Sequence, residues 1–128
     1  MTRQPPAAGA PCPVTVCLRV IGGKWKPLLL YLIASGCNRF GALRRAVPAI
    51  SQQMLTRQLR ELEADGLLQR TAFPGRPARV EYALSERGES VMPVIQAMRT
   101  WGAAAIRQED AERSEARGQR SEPSGQTG

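Results

Sequence analysis

Four side chains between Ile50 and Gly66 have the types and the spacing to read base edges. Leu55, Leu59 and Leu62 recur at the interval that stacks side chains on one helical face. At about 100° per residue, the opposite side carries Gln53, Arg57 and Arg60, with Thr56 beside them. A guanidinium can donate two parallel hydrogen bonds to guanine, a carboxamide can pair with adenine, and the threonine methyl and hydroxyl suit thymine or a phosphate. Ser51 is a cap residue, and the N–H groups it leaves open offer a positive dipole end to an anion. Gly66 can adopt the left-handed conformation that ends a helix. Taken alone, this face also fits a surface helix with solvated charges, so the neighbouring segments decide.

The chain as a whole favours a polyanionic partner. It has 128 residues, enough for one small domain with tails. Lys and Arg number 18 against 11 Asp and Glu, giving +7. Cys12 to Arg107 holds 14 basic and 6 acidic side chains, so this part alone is +8, while Gln108 to Gly128 is −2. A polyanion is the natural partner of such a surface, and with the helical face above the one expected is double-stranded DNA. RNA is the competing one, but sequence-specific RNA binders stack bases on exposed aromatics, and two Trp, two Tyr and two Phe leave few to spare. A protein-interaction adaptor is a third class. An enzyme is the least favoured, because there is no histidine and no carboxylate pair in an apolar setting. No cofactor is implied. Without histidine or a close cysteine pair a zinc site is not expected, and three cysteines do not make a disulfide framework. Met1–Pro11 lacks an apolar run, and Pro27–Ala34 falls far short of the ~20 residues of a membrane helix. We therefore expect a cytoplasmic protein with no membrane partner.

The elements that position the four side chains follow in order. Residues 1–11, rich in Pro, Ala and Gly, read as a disordered arm. Pro13 suits a first helical position, and Val14, Cys17, Leu18 and Ile21 follow at helical spacing until Gly22-Gly23. Gly22 to Pro27 reads as a turn. Leu28 to Ala34, apolar nearly all round, reads as a buried helix ended by Ser35-Gly36, with Trp25 a plug at its start. A third helix spans Asn38–Val47, with Phe40, Leu43 and Val47 inward and Arg44 and Arg45 outward, and Pro48 closes it. The short connector into Ser51 makes a helix-turn-helix. Leu67–Phe73 and Arg79–Leu84 read as two strands about the turn Pro74-Gly75-Arg76-Pro77. Ser85 caps a last helix to about Arg107, weakened early by Gly88 and Pro93 so that a kink or a late start near Ser90 is open. In it, Val91, Val94, Met98, Trp101 and Ala105 form one seam, which a second subunit, the chain's own first helix or both would cover. Residues 108–128, nearly without apolar side chains, read as a disordered tail. The expected fold is mainly α with a small β-hairpin (α+β), in a domain over residues 12–107.

These pieces resemble a known family. Cys12-Pro13-Val14, Ile21-Gly22-Gly23-Lys24-Trp25, Arg39-Phe40, Ile50-Ser51 with Met54-Leu55, Leu59-Arg60-Glu61-Leu62-Glu63, Asp65-Gly66-Leu67, Val80-Glu81-Tyr82 and Trp101 stand in the order of the HxlR-type transcriptional regulators. That family is a branch of the MarR-like winged-helix proteins, and the resemblance covers about Cys12 to Trp101. It implies a homodimer joined through its first and last helices, here Val14, Leu18, Val91, Val94, Met98, Trp101 and Ala105. The helix after Ser51 would lie in the major groove, the hairpin would be the wing, and the operator would be a short inverted repeat. It also implies that the cysteine matching Cys12 senses oxidants or electrophiles in several relatives. Thr15 and Gln58 depart from the family pattern, so base preference does not carry over.

The residues therefore divide as follows. Gln53, Thr56, Arg57 and Arg60 are assigned to base readout, and Ser51, Arg44, Arg45, Arg76 and Arg79 to the DNA backbone. Cys12 has two readings. It is either a redox sensor, a thiol made reactive at a helix start near Arg19 or Lys24, or a small apolar packing group. A ligand-responsive or constitutive regulator without a thiol switch is the alternative, and no small-molecule effector is identified.

Overall fold

The computed structural model describes residues 10–124, with side chains through residue 118. In chain order the elements are α1 (Pro13–Ile21), α2 (Lys26–Ala34), α3 (Phe40–Ala46), α4 (Gln52–Ala64), β1 (Leu68–Phe73), β2 (Arg79–Leu84) and α5 (Glu86–Ser124). This is the expected mainly α arrangement with one antiparallel hairpin. Residues 1–9 of the expected arm lie outside the described residues, as do residues 125–128 of the expected tail.

Proline and serine set the helix starts. Pro13 opens α1, and Pro27 sits in the first turn of α2, where its missing N–H has no helical partner to lose. That placement draws Lys26, expected in the turn, into the helix. Trp25 is half-buried, with the Lys24 ammonium 4.7 Å from its ring centre, so it is only partly the expected plug. Ser51 Oγ accepts from the Met54 N–H at 3.0 Å and caps α4. At its other end, Gly66 takes φ +78°, a region that disfavours any side chain. The Leu67 N–H then bonds the Leu62 carbonyl at 2.9 Å and the Gly66 N–H bonds the Glu63 carbonyl at 3.0 Å. This doubly bonded end fixes where α4 stops and aims the chain into β1.

The hairpin pairs Leu68 with Leu84, Arg70 with Tyr82 and Phe73 with Arg79. It is also tied back to the approach to α3. The Tyr82 N–H bonds the Asn38 carbonyl at 2.9 Å, and Arg39 bridges to Glu81. The lead-in to the helix-turn-helix thus acts as a short third edge of the wing, which the sequence reading missed.

Two compact units divide the chain, Met1–Met92 and Pro93–Gly128. The core of the first is drawn from every helix within it: Ile21, Leu29, Leu30, Leu43, Leu55, Leu59 and Leu62 are at most 1 % exposed. Burying each such leucine contributes roughly 1.5–3 kcal/mol, so the apolar face of α4 is held in one orientation and its polar face must point outward.

The last helix starts after the expected cap Ser85 and departs from expectation in where it ends. It begins at Glu86 and not near Ser90, because Ser85 Oγ accepts from the Gly88 N–H at 3.0 Å and donates to the Gly66 carbonyl. Gly88 does not weaken this start but permits it, since a Cβ there would lie 2.3 Å from the Leu67 carbonyl oxygen. The helix then runs past Arg107 to Ser124, so residues 108–124 are helical where a disordered tail was expected. That stretch has no apolar residue larger than Ala but is rich in Glu and Arg, both good helix formers. Pairs such as Arg113 with Asp110, at 3.5 Å, lie one turn apart along it. Within the second unit Val94, Met98, Trp101 and Ile106 are exposed, Trp101 by 76 %. Within the first, Val14 and Leu18 of α1 are also exposed. None of the described helices is long and apolar enough to cross a membrane.

Candidate nucleic-acid interface

The core contacts of α4 leave Gln53, Arg57 and Arg60 exposed and Thr56 half-buried. Together with Gln52 and Glu61 these four side chains line a shallow concavity of ≈ 620 Å³. All four base-reading candidates are therefore brought together on one surface. Ser51 stands exposed at its N-terminal end, its hydroxyl already engaged in the cap.

Glu61 is the organiser of this face, and the sequence reading passed over it. Its Oε1 lies 2.8 Å from Lys26 Nζ, a buried ammonium on α2, and its Oε2 accepts from Arg57 Nε at 3.1 Å. One carboxylate thus neutralises a buried cation and steadies the exposed Arg57. Lys26 first, then Arg57, hold the Glu61 carboxyl below the usual carboxylate range. A carboxyl whose pKa is depressed on folding contributes stability above its unfolded value of about 4.3, and that contribution is lost as pH falls through the folded value. Thermal unfolding followed by circular dichroism should therefore show the midpoint dropping more steeply below about pH 4.5 in wild type than in Glu61→Gln. Parallel acid limbs would mean that the pair adds nothing to stability. Glu81 titrates in the same direction, held low by Arg79 and Arg39, so only the difference between the two proteins is diagnostic.

The backbone candidates divide. Arg76 in the hairpin turn and Arg45 on α3 are exposed and make no ion pair among the described residues. Arg79 is engaged: its Nε donates to Glu81 at 2.8 Å, and its guanidinium lies 4.4 Å from the centre of the Phe73 ring. With Arg39 also reaching Glu81, at 3.4 Å, this cluster braces the wing. Arg44 does not point outward as expected. One turn from Phe40, it lies on the half-buried flank of α3, with its Nε buried and without a hydrogen-bond partner among the described residues.

Cys12 occupies the N-cap position of α1 and is half-buried. The backbone N–H groups of Thr15, then Val14, draw its thiol below the ordinary range. No full cap hydrogen bond closes on the sulfur, so the effect is the pull of free donors at the helix start, not the expected influence of Arg19 or Lys24. Cys17 and Cys37 are free and half-buried.

A family model described as HxlR-like helix-turn-helix matches residues 20–110, from the last two residues of α1 into α5. The chain belongs to the HxlR-like helix-turn-helix family. An uncharacterized HTH-type transcriptional regulator of Methanothermobacter thermautotrophicus is 50 % identical to this HxlR-like chain over 91 residues, which are 71 % of this chain and 70 % of that protein. YkvN of Bacillus subtilis, also an HTH-type transcriptional regulator, is 46 % identical over 101 residues, covering 79 % of this chain and 86 % of its own. Among solved structures, the redox regulator HypR in its oxidized form superposes with a TM-score of 0.70 at 48 % identity, over 73 % of this chain and 96 % of HypR. Diamide-treated YodB from Bacillus subtilis superposes with a TM-score of 0.61 at 32 % identity, over 73 % and 93 %. The HxlR-like fold is a winged helix-turn-helix, with α4 as the second helix of the motif and the hairpin as its wing. The chain is a transcriptional regulator with that fold.

Proposed function

We propose that the protein works in the cytoplasm, without enzymatic activity, as a homodimer that binds an inverted-repeat operator, one α4 in each of two successive major grooves. The observation that carries this reading is the α4 face. Gln53, Thr56 and Arg57 stand on an exposed polar surface fixed from behind by three fully buried leucines. Arg60 adjoins them, while Ser51 at the start of α4, Arg45 on α3 and Arg76 in the hairpin turn would offer donors to phosphate, and Arg44 and Arg79 lie in support. A second copy would cover the exposed apolar side chains Val14 and Leu18 of α1, and Val94, Met98 and Trp101 of α5. Half-buried Val91 and Ala105 continue that seam. Two-fold symmetry then sets the recognition helices about 34 Å apart along the duplex.

Cys12 is the proposed control point. Its lowered thiol favours the thiolate, the species that oxidants attack, and the similarity to HypR, a redox regulator, points the same way. Two Cys12 thiols, one from each copy, would give up two protons and two electrons to an oxidant such as diamide. A disulfide forms, diamide is reduced to the hydrazine, and the altered dimer seam resets the spacing of the two α4 helices. The test is a gel shift on the duplex upstream of the protein's own gene, at about 0.15 M salt, reduced and diamide-treated, for wild type and Cys12→Ser. Retardation that diamide abolishes in wild type alone is the expected outcome. Retardation indifferent to diamide removes the switch and keeps the regulator.

A further inference from the structure

A second cleft, of ≈ 420 Å³, opens between α4 and the hairpin. It is lined by Phe40, Thr56, Arg60, Glu63, Arg70 and Tyr82. Thr56 and Arg60 also line the recognition concavity, so the two hollows are continuous along one edge of α4. Helical spacing explains the α4 contribution, since Thr56, Arg60 and Glu63 stand one turn apart on the flank toward the wing. Strand pairing explains the other wall. Arg70 and Tyr82 are directly opposite in the register, and the Tyr82 N–H bond to Asn38 fixes that position.

The chemistry of this lining is one-sided. Two guanidinium groups, a phenol and a threonine hydroxyl are hydrogen-bond donors, and neither Arg60 nor Arg70 makes an ion pair or side-chain hydrogen bond among the described residues. Their neighbours Arg57 on α4 and Arg79 on the hairpin are matched to acids, Glu61 and Glu81. Two unmatched like charges on one cleft repel each other unless an anion joins them. Glu63 offsets one of the two, leaving the lining with a single net positive charge. That balance suits a monoanion and disfavours a dianion.

We propose that this cleft seats one phosphodiester of the operator strand that borders the major groove, held by Arg60 and Arg70 with the Tyr82 hydroxyl donating alongside. The proposal rests on the reading of α4 as the recognition helix, and it reassigns Arg60 from base readout to the backbone. It also gives Arg70, one of the arginines on the rim of the hairpin, a specific place on the DNA backbone. The phosphate so held anchors α4 and the wing to one strand and adds affinity without base discrimination of its own.

The test uses the full chain and two probes: a randomised duplex pool for base preference, and a single fixed duplex for affinity by fluorescence anisotropy at several salt concentrations. Arg60→Gln and Arg70→Gln should each weaken binding to all sequences alike and reduce the slope of log K against log salt by about one. Base preference should stay that of wild type. Arg70→Lys should restore most of the slope, which a merely structural loss would not do. Tyr82→Phe should weaken binding without changing the slope. A changed base preference in Arg60→Gln would return that residue to base readout and overturn the proposal. So would an unchanged slope in Arg70→Gln, in a protein whose specificity still depends on Arg57. Sodium phosphate competing better than chloride at equal ionic strength would make the cleft a free-anion site instead. A wild-type protein that binds neither probe would overturn the recognition-helix reading itself, and this inference with it.

Discussion

Arg57→Ala is expected to cost about 1–3 kcal/mol per half-site and to relax the base preference at one operator position. The expectation follows from where the side chain stands. It is 71 % exposed at the middle of the α4 face, and its one partner, Glu61, holds it there without burying it. The bond to Glu61 uses only one edge of the guanidinium, leaving donors free for a base. Removing Arg57 leaves Glu61 paired with Lys26, so thermal stability should stay within about 0.5 kcal/mol of wild type. Arg57→Lys keeps the charge and loses the planar fork, so it should retain general affinity but not discrimination. Anisotropy titrations against a selected duplex and a scrambled one read both effects. An equal loss on the two duplexes would make Arg57 a phosphate contact.

Leu59→Ala is expected to lower unfolding free energy by about 2–5 kcal/mol, out of a total of roughly 5–15 kcal/mol for a domain of this kind. Leu59 is 1 % exposed and lies between Leu55 and Leu62 in the stripe that α4 turns inward. Its truncation removes buried methyl groups and leaves a cavity that fixed neighbours cannot close. Because the same stripe orients the recognition face, DNA affinity should fall as well, through loss of folded protein. Leu59→Met, close in volume, should cost less than about 1.5 kcal/mol. Urea unfolding monitored by circular dichroism gives the comparison, and a loss under about 1 kcal/mol for Leu59→Ala would contradict the packing described.

The contrast between these two substitutions shows why α4 was legible in the sequence. Its apolar stripe, its cap at Ser51 and its stop at Gly66 are local signals, each carried by residues a few positions apart. The hairpin was legible for the same reason, its turn residues lying between two period-two runs. What escaped was non-local. Lys26 and Glu61 are 35 positions apart, and nothing near either one marks the pair. The join of Tyr82 to Asn38 spans 44 positions, and it is what brings Arg70 and Tyr82 up to Arg60. Gly88 looked like a helix breaker until the Leu67 carbonyl was seen pressed against it. The length of α5 escaped for another reason. Absence of large apolar residues excludes a buried face but not a helix, and residues 108–124 keep helix-forming types without one.

The account stands most directly on α4 reading bases. The decisive measurement is selection from a randomised duplex pool at about 0.15 M salt, carried out with reduced wild-type protein and with Arg57→Ala. Wild type should enrich an inverted repeat whose half-site centres lie about 10–10.5 base pairs apart, and Arg57→Ala should lose preference at one position in each half. A pool that stays unenriched, or one that yields the same motif with both proteins, would contradict it.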